Sequence, residues 1–252
     1  MQGKSQYDLT KLKYFVSFIS MSGSGHSLLS SMIDAHKNAI VSRECCIFRR
    51  VVKKGNSNRL NLETIIRSSE KYTSNGRLHK GSKTSHLVPG QFNGRAYPLL
   101  VIGDKNGYGT ASAIIRYNPI PSKIAKIPIR YIHVYRNPYD TIAYLNNFYS
   151  CSIDSVIKRI LRRLQEIHEA LLKIKNYLSI KYEDLITDTK TTLRKVLNYL
   201  SLEPYNGFIR SCKEIINPTL LHFNQNIDWT KDQIFKINSF CSSIDYLNFA
   251  LK

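Results

Sequence analysis

Short runs of consecutive apolar residues recur along the chain, and each is followed by small or polar residues and then by helical periodicity. The runs cover residues 14–19, 99–103 and 129–135. Because they are rich in β-branched and aromatic residues, they are typical of strands buried on both faces of a sheet. Amphipathic helices are predicted after the first run and at residues 62–72, 155–178 and 188–200. This alternation predicts an α/β fold, doubly wound around a mainly parallel central sheet flanked by helices.

The length of the chain suits one domain. With 252 residues it can bury a sizeable core, so we predict a single domain over residues 1–252. Residues 45–98 contain several Gly, Ser and Asn residues around one predicted helix, which indicates an insertion between the first and second strand units.

The charge of the chain is strongly basic. Its formal net charge is +19 and its pI is about 9.7, which favours an anionic partner. The abundance of Lys, Ile, Asn and Tyr is also typical of an AT-rich genome, so both explanations stay open.

The cysteines and the apolar segments indicate the cellular location of the protein. Five cysteines without metal-ligand spacing support neither a disulfide framework nor a zinc site, and reduced thiols predict a cytoplasmic protein. The apolar run at residues 14–21 is short for a signal peptide, and no stretch approaches the roughly 20 apolar residues of a membrane span.

The first predicted strand leads into a loop of small residues at positions 20–25. Small residues allow the backbone to approach a ligand closely, and the first N–H groups of the following helix have no partner within that helix. This predicts a cradle for phosphate or sulfate, although a plain Gly/Ser turn has the same composition. A Walker A loop is not predicted, because His26 follows Gly25 and the loop contains no lysine.

Candidate ligand-binding residues follow three other predicted strands. Lys105 lies in an Asp-Lys-Asn-Gly turn, Arg136 opens an Arg-Asn-Pro turn, and Tyr182 lies in a strand and turn over residues 178–185. Ligands of open α/β sheets bind at the carboxyl ends of the strands, and an arginine there can hold a phosphate through two hydrogen bonds. The Asp-Lys-Asn-Gly sequence is also a good turn in its own right.

Four short segments resemble the sulfotransferase family that uses 3′-phosphoadenosine 5′-phosphosulfate (PAPS), most closely its tyrosylprotein and carbohydrate branches. They are SGHSLL from residue 24, IDAH from residue 33, RNPYD from residue 136 and YEDL from residue 182. The segments occur in the family's order. The resemblance implies a P-loop nucleotide-binding type of fold and PAPS as the co-substrate, with no metal.

The resemblance also implies how PAPS is held. The 5′-phosphosulfate would be bound by Gly23, Ser24, Gly25, His26, Ser27 and Leu28. Arg136 matches the arginine that binds the 3′-phosphate, whereas Tyr144 stands where the family has a serine. Tyr182 matches the tyrosine that lies near the adenine ring.

Three residues match or replace catalytic groups of the family. Glu44 is the candidate general base, and Lys105 is the candidate cation that reaches the transferring sulfuryl group. Gly23 stands where the family has Lys or Arg, so His26 and Lys105 together would supply the missing positive charge. The alternative is that the protein binds the nucleotide without catalysing transfer.

The implied reaction is in-line sulfuryl transfer to a hydroxyl or similar acceptor. A small-molecule, carbohydrate or peptide acceptor is expected. The insertion at residues 45–98 is predicted to lie on the acceptor side of the site, where its basic residues would suit an acidic acceptor. A P-loop kinase is an alternative, with Asp104 holding magnesium beside Ser27, but the loop lacks the lysine it requires. A nucleic-acid-binding module is the other alternative; no nucleic acid is expected, because the basic residues are spread without a reader motif.

Overall fold

The computed structural model describes residues 7–54, 59–78, 85–117, 123–124, 126–148 and 151–247. The strands are β1 Tyr14–Ser20, β2 Ala39–Arg43, β3 Val101–Lys105, β4 Lys123–Ile124, β5 Ile127–Tyr135 and β6 Tyr177–Lys181. The helices are α1 His26–Asp34, α2 Ile47–Lys54, α3 Arg59–Ser74, α4 Gly107–Arg116, α5 Pro138–Asn146, α6 Ile153–Leu172, α7 Tyr182–Thr187, α8 Thr189–Tyr199, α9 Phe208–Glu214 and α10 Lys231–Cys241.

Five strands form a parallel sheet in the order β2-β3-β1-β5-β6, and the short β4 pairs antiparallel with the start of β5. The prediction of a mainly parallel sheet is confirmed. Because β3, β1 and β5 are parallel neighbours, their carboxyl ends open on one edge of the sheet. The small-residue loop after β1 therefore lies between the end of β3 and the end of β5.

Apolar side chains cover both faces of the sheet. On one face Phe15, Ile19 and Ile102 pack with residues of α4 and α6. On the other face Val16 and Phe18 pack with residues of α1, α7 and α8. Burial on two faces explains the uninterrupted apolar runs, and it confirms the doubly wound architecture.

The strand β2 and the helix α4 are among the elements that were not predicted from the sequence. The strand β2 has only three apolar residues, and α4 begins with two glycines within three positions. Asp104 and Lys105, predicted as part of a turn, instead complete β3, where they pair with Ser42 and Arg43 of β2. Pairing with a distant strand thus extends β3 beyond its apolar run.

The predicted helix at residues 155–178 ends earlier than expected, because α6 ends at Leu172. Tyr177 already pairs with Tyr131 of β5, so the chain must leave the helix before that position. No described helix is long and apolar enough to cross a membrane.

The segment at residues 45–98 packs against the sheet through α2 and α3. Leu62 and Ile65 of α3, the helix predicted at residues 62–72, are buried in the core. A buried ion pair of Arg77 with Asp34 ties the segment to α1, and Asp34 also accepts hydrogen bonds from Ser69 Oγ and Val41 N, each at 2.6 Å. The proposed role of the segment on the acceptor side stays a prediction.

Candidate active site

The loop after β1 depends on two glycines in the left-handed region. Gly23 has φ +83° and Gly25 has φ +88°, and Gly25 is the N-cap of α1. A Cβ atom at Gly25 would lie 2.1 Å from Cδ2 of Tyr182, so a side chain cannot be accommodated without moving that ring. The backbone therefore follows a path that only glycine allows, and it directs the first N–H groups of α1 toward the carboxyl edge of the sheet.

The other loop side chains either make polar contacts near the loop or are partly or fully buried. Ser24 Oγ donates to the carbonyl of Met21 at 2.8 Å and lies 3.4 Å from His26 Nδ1. A Cβ atom added to Gly107 would lie 3.4 Å from His26 Nε2, so the imidazole lies between the loop and the start of α4. Ser27 is half-buried in the first turn of α1, whereas the Leu28 side chain is buried in the core and can offer a ligand only its backbone.

Arg136, at the end of β5, joins the loop to two tyrosines. Its side chain is 4% exposed, and Nη1 donates to the carbonyl oxygen of Gly23 at 3.1 Å. Its guanidinium carbon lies 4.9 Å from the ring centroid of Tyr182 and 5.8 Å from that of Tyr144, within the range of cation–π attraction. The Tyr144 ring also packs against Gly23. The structure thus brings together the candidate residues of three separate motifs.

Tyr182 is the first residue of α7, and its ring is 3% exposed because it covers Gly25. Burial raises the pKa of its phenol to about 12, although nearby Arg136 opposes the shift. The phenol is therefore neutral at physiological pH. In this position the ring supports the loop that the sequence predicted as the phosphosulfate site.

Glu183 is a site residue that the sequence did not single out. Its Oε1 accepts from the backbone N–H of Asn137 at 2.9 Å, which fixes α7 to the turn that carries Arg136. Burial raises the pKa of this carboxyl group, while the Asn137 hydrogen bond lowers it. The residue belongs to the YEDL segment, but nothing in the spacing indicated its partner 46 positions away.

Glu44 and Lys105, the candidate base and the candidate cation, form an ion pair at the end of β2 and β3. Lys105 Nζ donates to Glu44 Oε1 at 2.8 Å. The lysine side chain is 3% exposed and the glutamate side chain is 58% exposed, so the pair has one buried and one accessible partner. Burial lowers the pKa of Lys105, and the charge of Glu44 opposes that shift. The accessible carboxylate thus favours the charged form of the buried ammonium group.

Asp104 faces away from the loop. Its carboxylate accepts hydrogen bonds from Ser42 Oγ, Cys45 N and Ile47 N, each at 2.9 Å. These donors belong to β2, the turn after it and the start of α2, whereas the loop follows β1 on the opposite side of β3. Asp104 is therefore not placed to hold magnesium beside Ser27, as the kinase alternative requires. Within the described residues, no group of three or more His, Cys, Asp or Glu side chains could hold a metal ion.

Comparisons with known proteins agree with this arrangement. The sulfotransferase family matches residues 129–206, a range that includes Arg136, Tyr144, Tyr182 and Glu183. No curated protein matches the chain.

Among solved structures, the sulfotransferase domain from the Synechococcus PCC 7002 olefin synthase has a TM-score of 0.55 and 14% identity, and the match covers 98% of this chain and 100% of that one. Sulfotransferase STF9 from Mycobacterium avium has a TM-score of 0.54 and 10% identity, covering 95% and 78%. Mouse sulfotransferase SULT7A1, complexed with PAP, has a TM-score of 0.46 and 14% identity, covering 94% and 85%.

The first two structures show that the fold of this chain is similar to theirs over nearly its whole length. The family match covers the segments that carry Arg136 and Tyr182. Together these findings confirm the resemblance predicted from the motifs: residues 129–206 match the sulfotransferase family, within a fold similar to that of sulfotransferase structures.

Proposed function

We propose that the enzyme transfers the sulfuryl group of PAPS to a hydroxyl or similar acceptor, with 3′-phosphoadenosine 5′-phosphate (PAP) as the second product. The observation that carries this proposal is the position of Arg136, which donates to the loop carbonyl of Gly23 and lies within cation–π distance of two tyrosine rings. A cation fixed beside a helix N-terminus suits a ligand with two separate anionic groups.

In this proposal the donor is bound by the first turn of α1 and by Arg136. The backbone N–H groups of Gly23 and of residues 25–28 hold the 5′-phosphosulfate beside Ser24, whose own N–H donates to the Met21 carbonyl, and the Arg136 guanidinium holds the 3′-phosphate. Tyr144 replaces the family's serine beside that phosphate, where its hydroxyl can donate a hydrogen bond. Tyr182 acts mainly by supporting Gly25, because its ring is buried against the loop.

Transfer itself would use Lys105, Glu44 and His26. The bond between sulfur and the phosphate oxygen breaks, a bond between sulfur and the acceptor oxygen forms, and the acceptor proton passes to Glu44. Lys105 stabilises the negative charge that develops on the sulfuryl oxygens and the leaving group, and His26 donates a hydrogen bond from the loop. Positioning and charge stabilisation supply most of the catalysis in such a step.

The acceptor would be a small molecule, a carbohydrate or a peptide. Arg49 and Arg50 are exposed on α2. Burial raises the pKa of Cys46, two residues from Glu44, and the positive charges of Arg49 and Arg50 oppose that shift. Positive charge beside the candidate base would attract an acidic acceptor. The side chains of Lys53 and Lys54, which belong to the same basic stretch, lie outside the described residues. A cytoplasmic location remains part of the proposal.

Arg136→Ala tests the proposed donor site. Loss of a charge-assisted phosphate contact is expected to weaken PAP binding by roughly ten- to a hundredfold, corresponding to about 1.5–3 kcal/mol. Isothermal titration calorimetry in the presence of EDTA measures this affinity. The wild type is expected to bind PAP much more tightly than AMP, which lacks the 3′-phosphate, whereas the variant should bind the two with similar affinity.

Arg130→Ala is the matched control, because Arg130 lies on the same strand and packs on Tyr14 and Tyr199, away from the loop. It should bind PAP like the wild type. Equal affinity of the wild type for PAP and AMP would contradict the proposed donor.

Gly25→Ala tests the path of the loop. The added methyl group would displace the Tyr182 ring, so we expect PAP affinity to fall by at least about tenfold as the Arg136 contact is lost. Gly90→Ala is the control, because Gly90 also has a left-handed φ of +67° but has open space around it. In both variants the left-handed backbone conformation of the new alanine costs about 1–2 kcal/mol of stability. Only Gly25→Ala should lose PAP affinity. Equal PAP affinity in the two variants would show that the ring contact is irrelevant.

A further inference from the structure

The turn after β2 holds two residues in an unfavourable backbone conformation. Glu44 has φ 56° and Cys46 has φ 55°, both in the left-handed region. Residues with a side chain adopt this region only when their surroundings fix it. The turn directs the Glu44 carboxylate back to Lys105, since Glu44 N donates to the Lys105 carbonyl at 2.9 Å while the two side chains form their ion pair. The ion pair therefore depends on whatever maintains this turn.

Asp104 makes the contacts that maintain it. Its Oδ1 accepts from Ser42 Oγ before the turn and from Cys45 N within it, and its Oδ2 accepts from Ile47 N at the start of α2. The carboxylate is 2% exposed, and the two backbone donors flank Cys46. A negative charge at the first residue of α2 also suits the dipole of that helix.

We propose that Asp104 is a positioning residue for sulfuryl transfer, which fixes the turn so that Glu44 meets Lys105 and the acceptor. The proposal rests on the proposed function, because it assigns Glu44 and Lys105 to the reacting groups. Successive residues of a strand point to opposite faces of the sheet, so Asp104 organises the turn on one face while Lys105 serves the site on the other. Asp104 therefore acts through its neighbours and does not touch the substrate.

Asp104→Asn is the variant that tests this role. The amide retains one oxygen acceptor, but its NH₂ group cannot accept the second backbone N–H, so one donor loses its partner. The turn then loses its fixed shape. We expect PAP release from PAPS, measured with p-nitrophenol or water as acceptor, to fall about ten- to a hundredfold, because misplacement by about 1 Å can reduce a rate that much. PAP affinity should stay within about twofold of the wild type.

The pH profile separates positioning from general destabilisation. Lys105 is faced by Glu44 and Arg43 from β2 and its turn, and by Asp104 from its own strand. Burial lowers the pKa of Lys105 and the charge of Arg43 adds to that shift, whereas Glu44 and Asp104 oppose it. Asp104→Asn removes one negative charge and displaces the other, so the alkaline limb of the rate should move to lower pH. Loss of stability alone would reduce the rate without moving that limb.

Hydrogen exchange gives a readout that needs no turnover. Amides at residues 43–48 should exchange faster in Asp104→Asn than in the wild type, while amides of α1 should not change. If Asp104→Asn does not fold, Ser42→Ala decides the question, since it removes one donor to the same carboxylate. It should speed exchange at Cys45 and lower PAP release about threefold.

A folded Asp104→Asn enzyme with wild-type rate, alkaline limb and exchange would overturn the role of Asp104 and leave the proposed function intact. For Ser42→Ala, unchanged exchange at Cys45 would have the same meaning. A wild-type protein that does not bind PAP would instead refute the proposed function.

Discussion

Lys105→Ala is expected to reduce sulfuryl transfer by about a hundred- to a thousandfold, the usual cost of removing one preorganised group that stabilises charge in the transition state. The ammonium group is fixed because it is buried and bound to Glu44, so it needs little reorganisation as the leaving group departs. PAP release from PAPS measures the effect. PAP affinity should change little, because the proposed contacts of PAP are with the loop and Arg136.

Lys173→Ala is the matched control for this prediction. Lys173 is exposed and its Nζ donates to the carbonyl of Ile115, so its removal should not affect transfer. His26→Ala should have a smaller effect than Lys105→Ala, because the loop retains its backbone N–H groups. A fully active Lys105→Ala enzyme would show that another group supplies the positive charge that Gly23 cannot.

The sequence predicted the positions of the candidate donor-binding residues better than their supporting contacts. The loop residues, Arg136 and Tyr182 lie in short segments that follow strands, and a local pattern is enough to place them at the carboxyl edge of a parallel sheet. Their mutual contacts required the order of the strands. Because β1 lies between β3 and β5, Arg136 at the end of β5 lies beside Gly23, which is 113 positions earlier in the sequence.

Asp104 and Glu183 could not be assigned from the sequence, because each acts on a backbone N–H far along the chain. A backbone donor leaves no trace in residue identity, so the Asp104 contact with Cys45, 59 positions away, has no sequence signal. The strand β2 could not be predicted for the same reason, because it forms by pairing with β3, which is distant in the sequence. The sequence therefore predicted candidate side chains for the chemistry, and tertiary pairing determined how they are held.

Glu44→Gln is expected to reduce transfer by about a hundredfold or more while donor affinity stays unchanged, as when a general base is lost. The ion pair with Lys105 complicates this test. Removing the Glu44 charge also removes an interaction that raises the pKa of Lys105, while burial continues to lower it. Part of the loss is therefore expected to come from deprotonation of Lys105, which increases as the pH rises.

A pH series from 5.5 to 8.5 separates the two effects, because their signs differ. If Glu44 acts only by keeping Lys105 charged, lowering the pH restores the ammonium group, and the variant should approach the wild-type rate. If Glu44 accepts the proton of the acceptor, glutamine cannot replace it at any pH, and the rate should stay low throughout. We expect a rate that is low across the series and falls further on the alkaline side, since both roles are removed together. Recovery of the full rate at low pH would show that Glu44 is not the base.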